Sequence, residues 1–164
     1  MARPPPMSEI EVSNETAHRF REEAVAQIVG RVLAAEDADG VVAVAFLGEK
    51  AVAELNGRYR GHAESTDVLS FPAGGTEDAD WPEPDGLEDE FLGDVVICPD
   101  VAERNALEDE ISLAEEIRRL LVHGGLHLLG YDHVTDDGEM RAREEALLEL
   151  IGEPEGGLLE AESR

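Results

Sequence analysis

The sequence predicts an α+β domain: a small mixed β-sheet packed with helices, around a central buried helix that carries histidines. Three observations predict it. Strand-like and helix-like patterns succeed one another in mixed rather than strictly alternating order. The 164 residues suffice for one sizeable core. The segment LLVHGGLHLLGYDH, residues 120–133, sets three histidines among leucine, valine and glycine.

The elements follow in order. Residues 1–7 are expected to be a disordered start, 8–152 a single domain and 153–164 a flexible acidic tail. EIEVSNET places β-branched residues in an alternating setting and predicts a first strand. From Arg19 to Ala35 the set Val25, Ile28, Val29, Val32 and Leu33 follows i, i+3, i+4, i+7, i+8, the signature of an amphipathic helix. DADG closes that helix, and VVAVAFLG is the continuous apolar run of a buried strand. A second helix is expected from Glu49 to about Tyr59, and TDVLSFP is a strand ended by Pro72. Residues 73–90, rich in Gly, Pro and acids, form a loop. FLGDVVICP resumes a strand, and Pro99 with Asp100 opens a short helix through Leu107. SLAEEIRRLLVHGGLHLLG is a strong helix, with Ser112 as N-cap and Glu115 three residues later. DDGEMRAREEALLELIG is the last helix.

Composition narrows the chemistry. The single cysteine, Cys98, excludes an internal disulfide and a thiolate metal cage, and it fits a reducing cytoplasm. No apolar run reaches the ~20 residues of a bilayer span, and MARPPPMSEI lacks the apolar core of a secretory signal. The formal charge of −26, from 39 acids and 13 bases, is the odd feature. Nucleic-acid affinity ordinarily comes from basic surface. We therefore read the charge as a solubilising shell suited to a salty cytosol rather than as a clue to the ligand.

The histidines carry the function. At 100° per residue His123 and His127 share one helical face, while the leucines and Val122 cover most other directions. Gly130 is a natural residue to end the helix and reverse the chain, which can bring His133 back toward the other two. The result is a cup of three nitrogens. One zinc ion per chain fits it, because three protein ligands with a fourth position open is the catalytic pattern for zinc. Histidines satisfied one by one through ordinary hydrogen bonds are the alternative, and burying three of them makes that costly. The spacing is also that of the metzincin peptidases, but Gly124 stands where they carry a general-base glutamate, which excludes peptidase chemistry.

HGGLHLLGYDH resembles the signature of the YbeY family, bacterial single-strand-specific endoribonucleases of ribosomal RNA maturation and ribosome quality control. ELNGRYRGHAESTDVLSFP and FLGDVVIC resemble two further blocks of that family, and EMRAREEALLELIG is similar to its closing segment. The resemblance spans roughly residues 40–152, in the right order. Cys98 stands where serine is common, and the acidic insert after Pro72 is heavier than usual. The resemblance implies a single-stranded, ribosomal RNA substrate, the small ribosomal subunit and its assembly factors as partners, a cytoplasmic location, and neither DNA nor membrane binding.

It also implies that Arg60 is the arginine needed for cleavage. A guanidinium grips two phosphate oxygens at once and can stabilise charge developing on them, while zinc acts as Lewis acid. Arg58 and His62 make the same stretch the least acidic of the chain and are expected to contact RNA. Asp132 is a candidate to orient a ligand imidazole. Asp67 and Asp94 are expected to tie loops together, Ser70, Tyr131 and Cys98 to pack, and His18 to be solvated. Two other readings are a non-catalytic ribosome-assembly factor braced by a structural metal, and a zinc hydrolase of a small substrate.

Overall fold

A short run of valines and alanines can be covered on both faces, and such a run holds an inner position in the sheet. The computed structural model describes residues 8–61, 64–73, 91–131, 138–154 and 157–159. Within them the chain order is β1 (Ser8–Asn14), α1 (Glu22–Ala35), β2 (Gly40–Phe46), α2 (Glu49–Arg60), β3 (Val68–Pro72), β4 (Phe91–Ile97), α3 (Pro99–Asp109), α4 (Leu113–Leu128) and α5 (Glu139–Ile151). The sheet order is β1-β2-β4-β3. β1 and β4 flank β2 in parallel, and β3 runs antiparallel to β4, so the sheet is mixed as expected. β3 is an edge strand, where Pro72 costs no inner hydrogen bond.

Alternation divides the sheet between two cores. Val42, Val44, Phe46, Val95 and Ile97 face the main core, with the buried residues of α1, α4 and α5. Leu69, Phe71, Val96 and Cys98 face a smaller one, closed by Val52, Leu55 and Tyr59 of α2. α4 is the central helix, in contact with α1, α3, α5, β3 and β4.

α3 runs to Asp109, two residues past its expected end, and two larger differences from the sequence reading share one reason. α1 begins at Glu22 rather than Arg19, because Phe20 is buried and bridges Leu159. Leu158, within the segment expected as a tail, is buried in the main core, and its carbonyl accepts the Arg21 N–H at 2.8 Å. The leucine pair supplies apolar surface that the surrounding glycines and acids conceal in a composition-based reading. The expected disordered start and most of the expected loop lie outside the described residues.

Candidate functional site

Helix α4 starts as its sequence requires: the Glu115 N–H donates to the Ser112 side-chain oxygen at 3.0 Å. It ends on a Schellman turn, with the Tyr131 N–H on the Leu126 carbonyl and the Gly130 N–H on that of His127, both at 3.1 Å. Gly130 sits at φ +101°, a conformation that glycine adopts without strain. Between the ends, Gly124 allows close approach to the sheet. A Cβ there would stand 2.7 Å from a methyl of Val95. The missing general-base glutamate is thus also a packing matter, since position 124 faces β4 and has no room for a side chain.

That approach leaves His123 and His127 half-buried on the remaining face. Their Nε2 atoms stand 3.1 Å apart and their rings cross at 75°. His123 Nδ1 lies 2.7 Å from Glu144 Oε1, on α5. With its proton on Nδ1, toward the carboxylate, His123 turns the lone pair of Nε2 toward His127. This is how a metal-ligating imidazole is ordinarily oriented. Two nitrogens bound at ~2.0–2.1 Å to one tetrahedral zinc stand roughly 3.3 Å apart, so the pair fits as two ligands of such an ion. Among the described residues no third His, Cys, Asp or Glu completes a cluster. His133, Asp132 and His62 lie outside the described residues, as does the side chain of Arg60, whose backbone ends α2.

Beside His123 opens a cleft of about 620 Å³, lined among others by Asp67, Glu116, Arg119, Arg141 and Glu144. Glu116 is only 6% exposed. Burial pushes its carboxyl above the usual range, and Asp67, Asp109 and Glu115 add to the shift against the opposing Arg119. Arg119 Nη1 is 3.5 Å from Glu116 Oε1. Glu144, Glu116, Arg119 and Arg141 were not candidates on sequence grounds. The i, i+7 spacing of Glu116 and His123 puts both on one helical face and was the available signal.

Other candidates are placed as follows. Arg58 is exposed, its guanidinium 6.0 Å from the Tyr59 ring centroid. Asp67 ties elements together: its backbone carbonyl accepts the Cys98 N–H at 2.9 Å, and its Oδ2 accepts from Asn105 at 3.3 Å. Asp94 is half-buried in β4, opposite Phe71. The Ser70 hydroxyl lies 3.4 Å from the Gly124 carbonyl it faces. Burial raises the pKa of Cys98, consistent with packing. Tyr131 does more than pack, since its hydroxyl donates to Glu36 at 2.8 Å and that bond raises the phenol pKa. His18 is not solvated: its Nε2 meets Asp100 at 3.0 Å, its ring stacks 6.2 Å from Phe20, and its side chain is 21% exposed. The turn after β1 folds it inward, with Asn14 donating to its carbonyl at 2.6 Å.

The family model for endoribonuclease YbeY matches residues 7–152. The chain belongs to the YbeY family. The endoribonuclease YbeY of Moorella thermoacetica is 41% identical over 154 residues, covering 88% of this chain and 97% of that one. That of Desulforamulus reducens is 42% identical over 116 residues, 70% of this chain and 74% of its own. A Thermotoga maritima protein known from its solution structure superposes with a TM-score of 0.57 at 26% identity, over 87% of this chain and 88% of that one. The YbeY match takes in every element from β1 to α5, so the histidine pair, the cleft and Arg60 all lie inside it. Among the described residues no helix is long and apolar enough to cross a membrane.

Proposed function

We propose that this chain is a zinc-dependent endoribonuclease, specific for single strands, that acts in ribosomal RNA maturation and ribosome quality control. Its partners on this reading are ribosomal RNA and the small ribosomal subunit with its assembly factors, in the cytoplasm. The observation that carries the metal part is the facing Nε2 pair of His123 and His127, with Glu144 behind His123. Membership of the family supports the RNA part.

His123 and His127 would hold one zinc, with His133 as third ligand and Asp132 as a further orienting group. When bound, zinc supplies Lewis-acid polarisation of a phosphoryl oxygen. Arg60 grips the phosphate and stabilises the charge that develops there. Arg58 and His62, each two residues from Arg60 in sequence, extend the RNA contact. An open cleft beside His123 suits a polymer better than a small enclosed substrate.

Elemental analysis together with an RNA cleavage assay tests this reading. Wild-type protein should hold one zinc per chain after dialysis and cut single-stranded RNA. Arg60→Ala should keep zinc and melting temperature but lose roughly 10²-fold or more in rate, the scale of removing one electrostatic stabiliser. Arg60→Lys should recover only part, since an ammonium lacks the bidentate fork. Wild-type cleavage by Arg60→Ala removes Arg60 from the mechanism, and absence of RNA cleavage by the zinc-loaded wild type leaves the assembly-factor reading.

A further inference from the structure

The geometry points to Glu36 as a positioning residue for the zinc site, through a clamp that sets both the exit of α4 and the rotation of α5. This inference rests on the zinc reading above.

Glu36 is the first residue past α1, and its side chain is only 11% exposed. Both carboxylate oxygens are used. Oε1 accepts the Tyr131 hydroxyl at 2.8 Å, and Oε2 accepts Arg143 Nε at 2.5 Å. Arg143 also donates to the Ala35 carbonyl at 3.3 Å. The clamp therefore joins residues 95 and 107 positions away along the chain.

Its two arms end beside the site. Tyr131 closes the turn after α4, four residues beyond His127 and two before His133. Arg143 is the neighbour of Glu144 in α5. Consecutive helical residues point about 100° apart, so while Arg143 is held at Glu36, Glu144 is aimed at His123. The far end of α5 is held differently: Arg118 donates to the Leu148 and Gly152 carbonyls, and Arg31 to that of Ile151. Nearer Glu144, Arg143 ties the helix to Glu36 and to the Ala35 carbonyl. A hydrogen-bonded network of this kind fixes geometry more than it adds stability. What it fixes here is the acid behind His123 and the exit of α4 at Tyr131.

The experiment is zinc affinity by chelator competition, with the melting temperature of the metal-stripped protein measured alongside. Glu36→Ala should weaken zinc by about tenfold, the low end for groups that orient metal ligands. Glu36→Gln keeps an acceptor and should recover part of the loss. Tyr131→Phe deletes one hydroxyl and should weaken zinc in the same direction even if Glu36→Ala folds poorly. Arg31→Ala, which removes a brace at the other end of α5, should lower the melting temperature and leave zinc affinity within about twofold of wild type. Wild-type affinity in Glu36→Ala and Tyr131→Phe overturns the role of Glu36, as does an equal loss in Arg31→Ala. A wild type that holds no zinc overturns instead the metal reading beneath it.

Discussion

Among the described residues His18 and His123 each meet a carboxylate, and they use their rings in opposite ways. His18 gives Nε2, the outer nitrogen, to Asp100 at 3.0 Å, and its ring stacks beside Phe20. His123 gives Nδ1, the inner nitrogen, to Glu144 at 2.7 Å and turns Nε2 to the Nε2 of His127. The first pair spends the outer nitrogen on a brace between the β1–α1 turn and α3. The second uses its acid to fix a ring whose outer nitrogen faces another donor. The nitrogen that meets the acid decides which one is left to face a second group.

The largest expected effect breaks the second arrangement outright. His127→Ala should lose stoichiometric zinc and at least ~10²-fold in RNA cleavage. His18→Ala should keep both and lose only a partly exposed pair and a stack, about 1 kcal/mol and a few degrees of melting temperature. Elemental analysis and a cleavage assay on the two variants decide it. Full metal content in His127→Ala would make the two histidines equivalent and dissolve the contrast.

A smaller change removes only the charge behind each ring. Glu144→Gln should lower zinc affinity by roughly 10–100-fold, because the carboxylate orients the His123 ring. Asp100→Asn should leave zinc affinity at the wild-type value and change only the melt. Equal zinc affinities for the two variants would mean that Glu144, like Asp100, serves only the fold.

The two pairs also mark how far the sequence could be read. The periodicity of α1, the N-cap of α4 and the turn at Gly130 are local, each written within a few residues, and each was legible. Gly124 was legible as the absence of a glutamate, but not as the contact with Val95 that forbids a side chain there. The partners of His18 and His123 were not legible, because Asp100 lies 82 residues away and Glu144 lies 21 residues away on another helix. Among 39 acids nothing local distinguishes the one that meets an imidazole. Glu36 was hidden in the same way, its partners set by the packing of α5 and the α4 exit against α1. Leu158 was hidden by its neighbours, since two leucines among glycines and acids have the composition of a tail.

The smallest effect concerns an acid of the same cleft that meets an arginine instead of an imidazole. Glu116 lies in the first turn of α4, where the helix dipole favours an anion, and Arg119 is near. Burial outweighs both, and the carboxyl is shifted above its ordinary 4.5. A folded-state pKa raised above the unfolded value contributes stability that is present below the unfolded pKa and lost as pH rises through the folded one. At neutral pH the ionised Glu116 therefore costs stability. Glu116→Gln, similar in shape and uncharged, should raise the melting temperature at pH 7–8 by about 2–4 °C, the size that ~1 kcal/mol produces in a domain this long. The gain should shrink on acidification and vanish below about pH 4, where the wild-type carboxyl is neutral too. Melting curves of both proteins across pH 4–8 check it. A difference constant with pH assigns the change to packing, and a loss at neutral pH means that Arg119 holds the ionised carboxylate more firmly than burial penalises it.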